Sequence, residues 1–126
     1  MPSCDGVHEE FVYEKNDNGV NVLVKSLNGD HKVLLRFTNR TPHEVNVWWR
    51  NFEGKKVFYQ RLGPGASYDV ESYLTHPWEF IDASTGAHYV VDNKRIFRAP
   101  SHLVGNPIAT NFDITETAPE WEDGRW

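Results

Sequence analysis

Short runs of alternating apolar and polar residues recur about every ten positions along the chain, with turn-forming residues between them. Phe11-Val-Tyr13 and Val20-Asn-Val-Leu-Val24 flank Asn16-Asp-Asn-Gly19, which predicts a hairpin with Val20, Val22 and Val24 on one apolar face. Leu27-Asn-Gly-Asp30 is a second turn signal, and Lys32-Val-Leu-Leu-Arg-Phe-Thr38 reads as a strand with a buried middle. Asn39-Arg-Thr-Pro42 breaks that strand, because proline cannot donate to a central ladder. Val45 to Arg50 resumes it, with Val45, Val47 and Trp49 on one face and Asn46, Trp48 and Arg50 on the other. Asn51-Phe-Glu-Gly54 turns the chain into Val57 to Leu62, and Gly63-Pro-Gly-Ala66 is a tight turn. Ser67 to Asp82 reads as a strand, a short break and a second strand. Further strands are predicted at His88 to Val91, Arg95 to Arg98 and Ile108 to Ile114.

That spacing predicts an all-β fold, a β-sandwich of about 7–8 strands in a single domain. No stretch has sustained helical periodicity, and no repeat or linker divides the chain. The expected organisation is a polar, flexible N-terminus over 1–10, the β-domain over 11–114 and an acidic tail over 115–126 that carries Trp121 and Trp126.

Composition narrows the function classes. A chain of 126 residues with 39% apolar and 13% aromatic residues can bury a core. A formal charge of −5 without a basic run argues against a nucleic-acid partner. No apolar run is long enough for a membrane span, and the N-terminus lacks a secretory pattern. The expected location is cytoplasmic and nuclear. One cysteine, Cys4, builds neither a disulfide framework nor a Cys-rich zinc site, and a flexible terminus gives it no means of acting as a nucleophile. The six histidines are scattered and show no ligand spacing, so neither a metal site nor another cofactor is expected. Asn39-Arg-Thr41 matches the glycosylation sequon by chance on this reading.

The densest chemistry lies in Ser67 to Asp82, where Ser72, Tyr73, His76 and Trp78 fall within seven residues. Ser72 and His76 form a nucleophile and base if Asp69 or Asp82 orients the imidazole, although no G-x-S-x-G elbow accompanies them. The same two groups, placed among aromatic rings, suit a small ligand that carries a hydroxyl on an apolar ring. Spacing alone also allows plain structural roles. Trp49, Tyr59 and Trp78 are then core aromatics, and Ser72 and His76 cap the turn before Pro77.

Longer segments carry a resemblance. Phe37-Thr-Asn-Arg-Thr-Pro42, Val47-Trp-Trp-Arg-Asn-Phe-Glu-Gly54, Tyr59, Leu62-Gly-Pro-Gly65, Ser72-Tyr73, His76-Pro-Trp78 and Phe80-Ile-Asp-Ala83 resemble the β-domain of the von Hippel–Lindau tumour suppressor family. The similarity runs from about Ser26 to Pro100 and continues weakly to about Ile114. It implies a β-sandwich that is a reader and not an enzyme, binding 4-hydroxyproline in a peptide of hypoxia-inducible factor α. By position it makes Trp49, Tyr59 and Trp78 the pocket walls and gives Ser72 and His76 the ligand hydroxyl. Tyr59 also reaches the peptide backbone, and Tyr73 and Asn28 line the groove on either side.

The resemblance is incomplete at the flanks. Asp30 and Glu71 stand where familiar members carry a basic residue and a histidine, and Tyr68 replaces an arginine. Family members also continue into a helical domain that docks on Elongin C and so reaches a cullin ubiquitin ligase. After Ile114 this sequence shows no helical box with a leucine and a cysteine, so those partners are implied by the family alone. The competing expectations are a hydroxylation-independent interaction domain using an exposed Trp48 or the tryptophan tail, and a serine hydrolase using Ser72 and His76.

Overall fold

A computed structural model of the chain describes residues 11–117. Nine strands lie in these residues: β1 (Tyr13–Lys15), β2 (Asn21–Leu23), β3 (Lys32–Asn39), β4 (Val45–Arg50), β5 (Lys56–Leu62), β6 (Ser67–Tyr73), β7 (Trp78–Asp82), β8 (His88–Tyr89) and β9 (Thr110–Ile114). They form a three-stranded sheet in the order β9-β3-β6, a four-stranded sheet in the order β5-β4-β7-β8, and a separate β1-β2 ribbon. The expected all-β sandwich is therefore the fold. The last strand, β9, runs parallel to β3, with Phe112 opposite Phe37. The remaining strand pairs are antiparallel.

Period-two patterning explains how the sheets meet. Val33, Leu35 and Phe37 of β3 are fully buried, as are Val45 and Val47 of β4 and Trp78 and Phe80 of β7. Phe37 lies between the sheets, with ring centroids 5.6 Å from Trp78, 5.0 Å from Phe80 and 5.8 Å from Phe97. Tilted and edge-to-face packing of this kind adds about 0.5–1.5 kcal/mol per pair beyond area burial. Behind β4 the opposite face holds a buried ion pair, with Arg50 Nε donating to Glu79 Oε2 over 2.8 Å and Arg50 Nη1 donating to the Gly54 carbonyl over 3.0 Å.

Turn chemistry closes the frame. Asn39 is fully buried, and its Nδ2 donates to the carbonyls of His43 and Leu62, while its Oδ1 accepts from the Thr41 amide and hydroxyl. The sequon asparagine is thus consumed in holding the break between β3 and β4. At the β5–β6 turn Gly65 takes φ +82°, a left-handed conformation that glycine adopts without strain, and its amide reaches the Asn39 carbonyl over 2.8 Å.

Several expectations need correction. Val20 and Val22 are 56% and 46% exposed, and only Val24 of that face is buried. The β1-β2 ribbon pairs with neither larger sheet among the described residues, so alternation there does not report burial. Arg95 to Arg98 is not a strand. Asp92 and Asn93, both at positive φ, turn the chain so tightly that only Phe97 pairs, with Trp78. The strand over His88 to Val91 is shortened to His88–Tyr89, because Val90 and Val91 bridge instead to Thr115 and Lys94. Trp48 is half-buried beneath Lys56, whose Nζ lies 4.4 Å from its ring, and so is less exposed than expected. The tryptophans of the tail lie outside the described residues.

Candidate functional site

The site sits where the edge strands β5 and β6 meet β4 and β7. Trp49 closes the inner face of β4. Its Nε1 donates to Ser26 Oγ over 2.8 Å, and Ser26 Oγ donates to the Arg50 carbonyl over 2.8 Å, so a buried serine fixes the indole plane. Tyr59 arrives through a register shift. Val47 pairs with Gln60 and Trp48 with Phe58, which leaves Tyr59 as the extra residue of a β-bulge. Bulges bend a strand and re-aim a side chain. Here the Tyr59 ring lies edge-on to both Trp78, at 4.9 Å, and Trp49, at 6.0 Å.

Polar groups complete the arc. Ser72 is on the inward face of β6 and is 1% exposed, and its Oγ accepts from Trp78 Nε1 over 2.9 Å. His76 follows a turn closed by its own amide on the Tyr73 carbonyl. Its ring lies 5.3 Å from Trp49, 5.1 Å from Tyr73 and 5.5 Å from Phe52. Rings and hydroxyl therefore run in one circuit from Tyr73 through His76, Trp49, Tyr59 and Trp78 to Ser72.

The protonation states follow from this geometry. His76 Nε2 stands 3.0 Å from the Asn28 carbonyl, which can only accept, so Nε2 carries the proton. Burial pushes the imidazole below its ordinary value of 6.5, against the opposing effect of that carbonyl, which keeps it neutral at pH 7. Nδ1 is left as an acceptor with a lone pair. Ser72 Oγ already accepts, so its own hydrogen is available to donate. Desolvation, and behind it the neighbouring Tyr68, raises the Tyr59 hydroxyl above its usual value, so it stays a neutral donor and acceptor.

All seven residues singled out from the sequence fall in this region, though not in the same manner. Trp49, Tyr59, Ser72, Tyr73, His76 and Trp78 meet through side chains. Asn28 meets the site through its backbone carbonyl, while its Oδ1 turns back to accept from the Asp30 amide. Three contributors escaped the sequence reading. Phe52 is half-exposed and packs edge-on against both Trp49 and His76. Its signal was a large apolar residue in an otherwise polar turn. Ser26 and Thr75 act across 23 and 47 residues of sequence, and no local pattern marks them.

Hydrolase geometry is not formed. No hydrogen bond joins Ser72 to His76 among the described residues, Asp69 is engaged by Arg36 on the outer face, and Asp82 is engaged by Tyr89. Two clefts of 580 and 780 Å³ lie away from the arc, lined respectively by residues such as Arg50, Glu79 and Ile81 and by residues such as His43, Asp82 and Thr85. They contain none of its members.

The sandwich thus carries an arc of rings around two oriented polar groups. The chain belongs to the VHL beta domain family, whose model matches residues 24–105. It is 26% identical over 106 residues to "Protein Vhl" of Drosophila melanogaster, a stretch covering 84% of this chain and 55% of that protein. The chain thus spans about half the length of that curated relative. The family's role is substrate recognition and not catalysis.

Proposed function

We propose that the domain reads 4-hydroxyproline in an extended peptide, the natural candidate being the prolyl-hydroxylated segment of hypoxia-inducible factor α. One observation carries the reading. After their structural bonds are made, Ser72 retains one donor and His76 one acceptor, beside three aromatic walls packed edge to face. A ligand hydroxyl accepts from Ser72 Oγ–H and donates to His76 Nδ1, which satisfies both groups in a fixed direction. The rings of Trp49, Tyr59 and Trp78 grip the pyrrolidine, and the Tyr59 hydroxyl bonds the peptide backbone.

Discrimination arises from the unmodified competitor. A plain proline displaces water from Ser72 and His76 and leaves each unpaired, at about 1–3 kcal/mol per group. Together these favour the hydroxylated peptide on the order of tens- to ten-thousand-fold, with the middle of the range near a thousand-fold. Main-chain bonds along a sheet edge supply the remaining affinity. Elongin C and a cullin ligase are partners at the level of the family, downstream of recognition. Calorimetric titration with a hydroxyproline peptide and its proline twin tests the proposal. Equal affinity, or no binding to either, would end it.

A further inference from the structure

Thr75 occupies the turn between β6 and β7 and is half-buried. Its Oγ1 accepts from the amides of Leu27 and Asn28, each over 3.1 Å, and donates to the Asn28 carbonyl over 3.0 Å. The hydroxyl is thereby fully used, with one donor and two acceptor positions engaged. Residues 24–30 form no regular element, so these two amides have no ladder to join. One side chain from 47 residues away stands in for a strand partner.

The bond that matters lies one step further on. The Asn28 carbonyl receives two donors, Thr75 Oγ1–H and His76 Nε2–H. We propose that Thr75 is a positioning residue for the site: by pinning the Asn28 carbonyl it holds the His76 ring in one orientation and in the Nε2–H form. Without the hydroxyl, three bonds holding segment 27–28 are lost and its carbonyl turns to water. The imidazole then loses the acceptor that decides which nitrogen carries the proton. Its Nδ1 lone pair is no longer held against the hydroxyl of a ligand. The consequence for binding rests on the hydroxyproline reading, whereas the consequence for the imidazole does not.

Nuclear magnetic resonance of the ligand-free chain labelled with ¹⁵N-histidine reads the imidazole directly. The wild type is expected to show a neutral His76 protonated at Nε2, with an observable, slowly exchanging Nε2–H. A His76 protonated at Nδ1 overturns the proposal before any variant is made. Thr75→Val is expected to lose the protected Nε2–H and to lower the preference for the hydroxylated over the unmodified peptide about tenfold, the value of one well-made hydrogen bond. Thr75→Ser, which keeps the hydroxyl, is expected to retain both. A folded Thr75→Val with an unchanged Nε2–H signal and unchanged preference overturns the inference, as does loss of the signal in Thr75→Ser. Should the valine variant not fold, Thr75→Ala at reduced temperature gives the same two readings. Equal affinity of the wild type for both peptides defeats the hydroxyproline reading and leaves the imidazole measurement standing.

Discussion

Trp78 Nε1 donates to Ser72 Oγ across 2.9 Å, with both residues 1% exposed. On the proposed function the bond gives one hydroxyl two tasks, because the oxygen that satisfies a core indole would also donate to the ligand. The structural role and the proposed recognition role are therefore inseparable at Ser72 but separable at its neighbours.

Removing that hydroxyl should show both roles. Ser72→Ala leaves the Trp78 N–H buried without a partner, at a cost of about 1–3 kcal/mol. Chemical denaturation should report a stability loss in that range. Calorimetry on the twin peptides should report the loss of most of the hydroxyl preference. An unchanged denaturation midpoint would mean that the indole finds another acceptor.

Acid should act through His76. Its folded value lies below 6.5, so the unfolded chain binds more protons as pH falls through that region. The stability tied to the neutral imidazole is complete above pH 6.5 and declines as pH drops from 6.5 through the folded value. Protonation also turns Nδ1 from acceptor into donor, so hydroxyl preference should hold as pH falls past 6.5 and drop only as pH passes through the lower folded value. Affinity ratios measured between pH 5 and 8, with His76→Ala as the control that lacks this dependence, check the sign. That variant should lose preference more than it loses thermal stability.

The buried Arg50–Glu79 pair makes a prediction away from the site. Glu79→Ala removes the carboxylate that pairs with the buried guanidinium and should cost about 3–5 kcal/mol. Replacing both partners by leucine should be far milder, near neutral, because desolvation of the two charges is then removed together. A double-mutant cycle by denaturant melts measures the difference. Equal losses in the single and double variants would show that shape, not charge, sets the cost.

Asp82 and Tyr89 form a second acid-sensitive contact. The Tyr89 hydroxyl donates to Asp82 Oδ2 over 2.6 Å while Oδ1 accepts from the Ser84 and Thr85 amides, which together hold the carboxyl at about 2. Burial, with the adjacent carboxylate, pushes the Tyr89 phenol up to about 12. The stability from Asp82 is present above its unfolded value of 3.8 and is lost as pH falls from 3.8 to about 2. Tyr89→Phe should therefore be less stable than wild type above pH 3.8, and the gap should narrow toward pH 2. Melts across that window would refute the assignment if the gap stayed constant.

The sequence determined most of the strands, most of the turns between them and one compact half of the candidate site. Period-two alternation marks β3 and β4, because an inward face is apolar wherever the second sheet covers it. Ser72, His76 and Trp78 were legible together because they are neighbours in the chain. Tertiary structure decided what joins distant segments. Tyr59 becomes a wall only because the β4–β5 register slips at Val47 and Trp48, and alternation within one strand carries no information about its partner's register. Trp49 owes its plane to Ser26, and His76 owes its tautomer to the Asn28 carbonyl that Thr75 holds. These bonds connect groups 23 to 48 residues apart, and a donor's partner at that range is set by how the sheets pack, not by the residues beside it. The same reason exposes Val20 and Val22, whose alternation is as regular as that of β3 but whose ribbon pairs with neither sheet among the described residues.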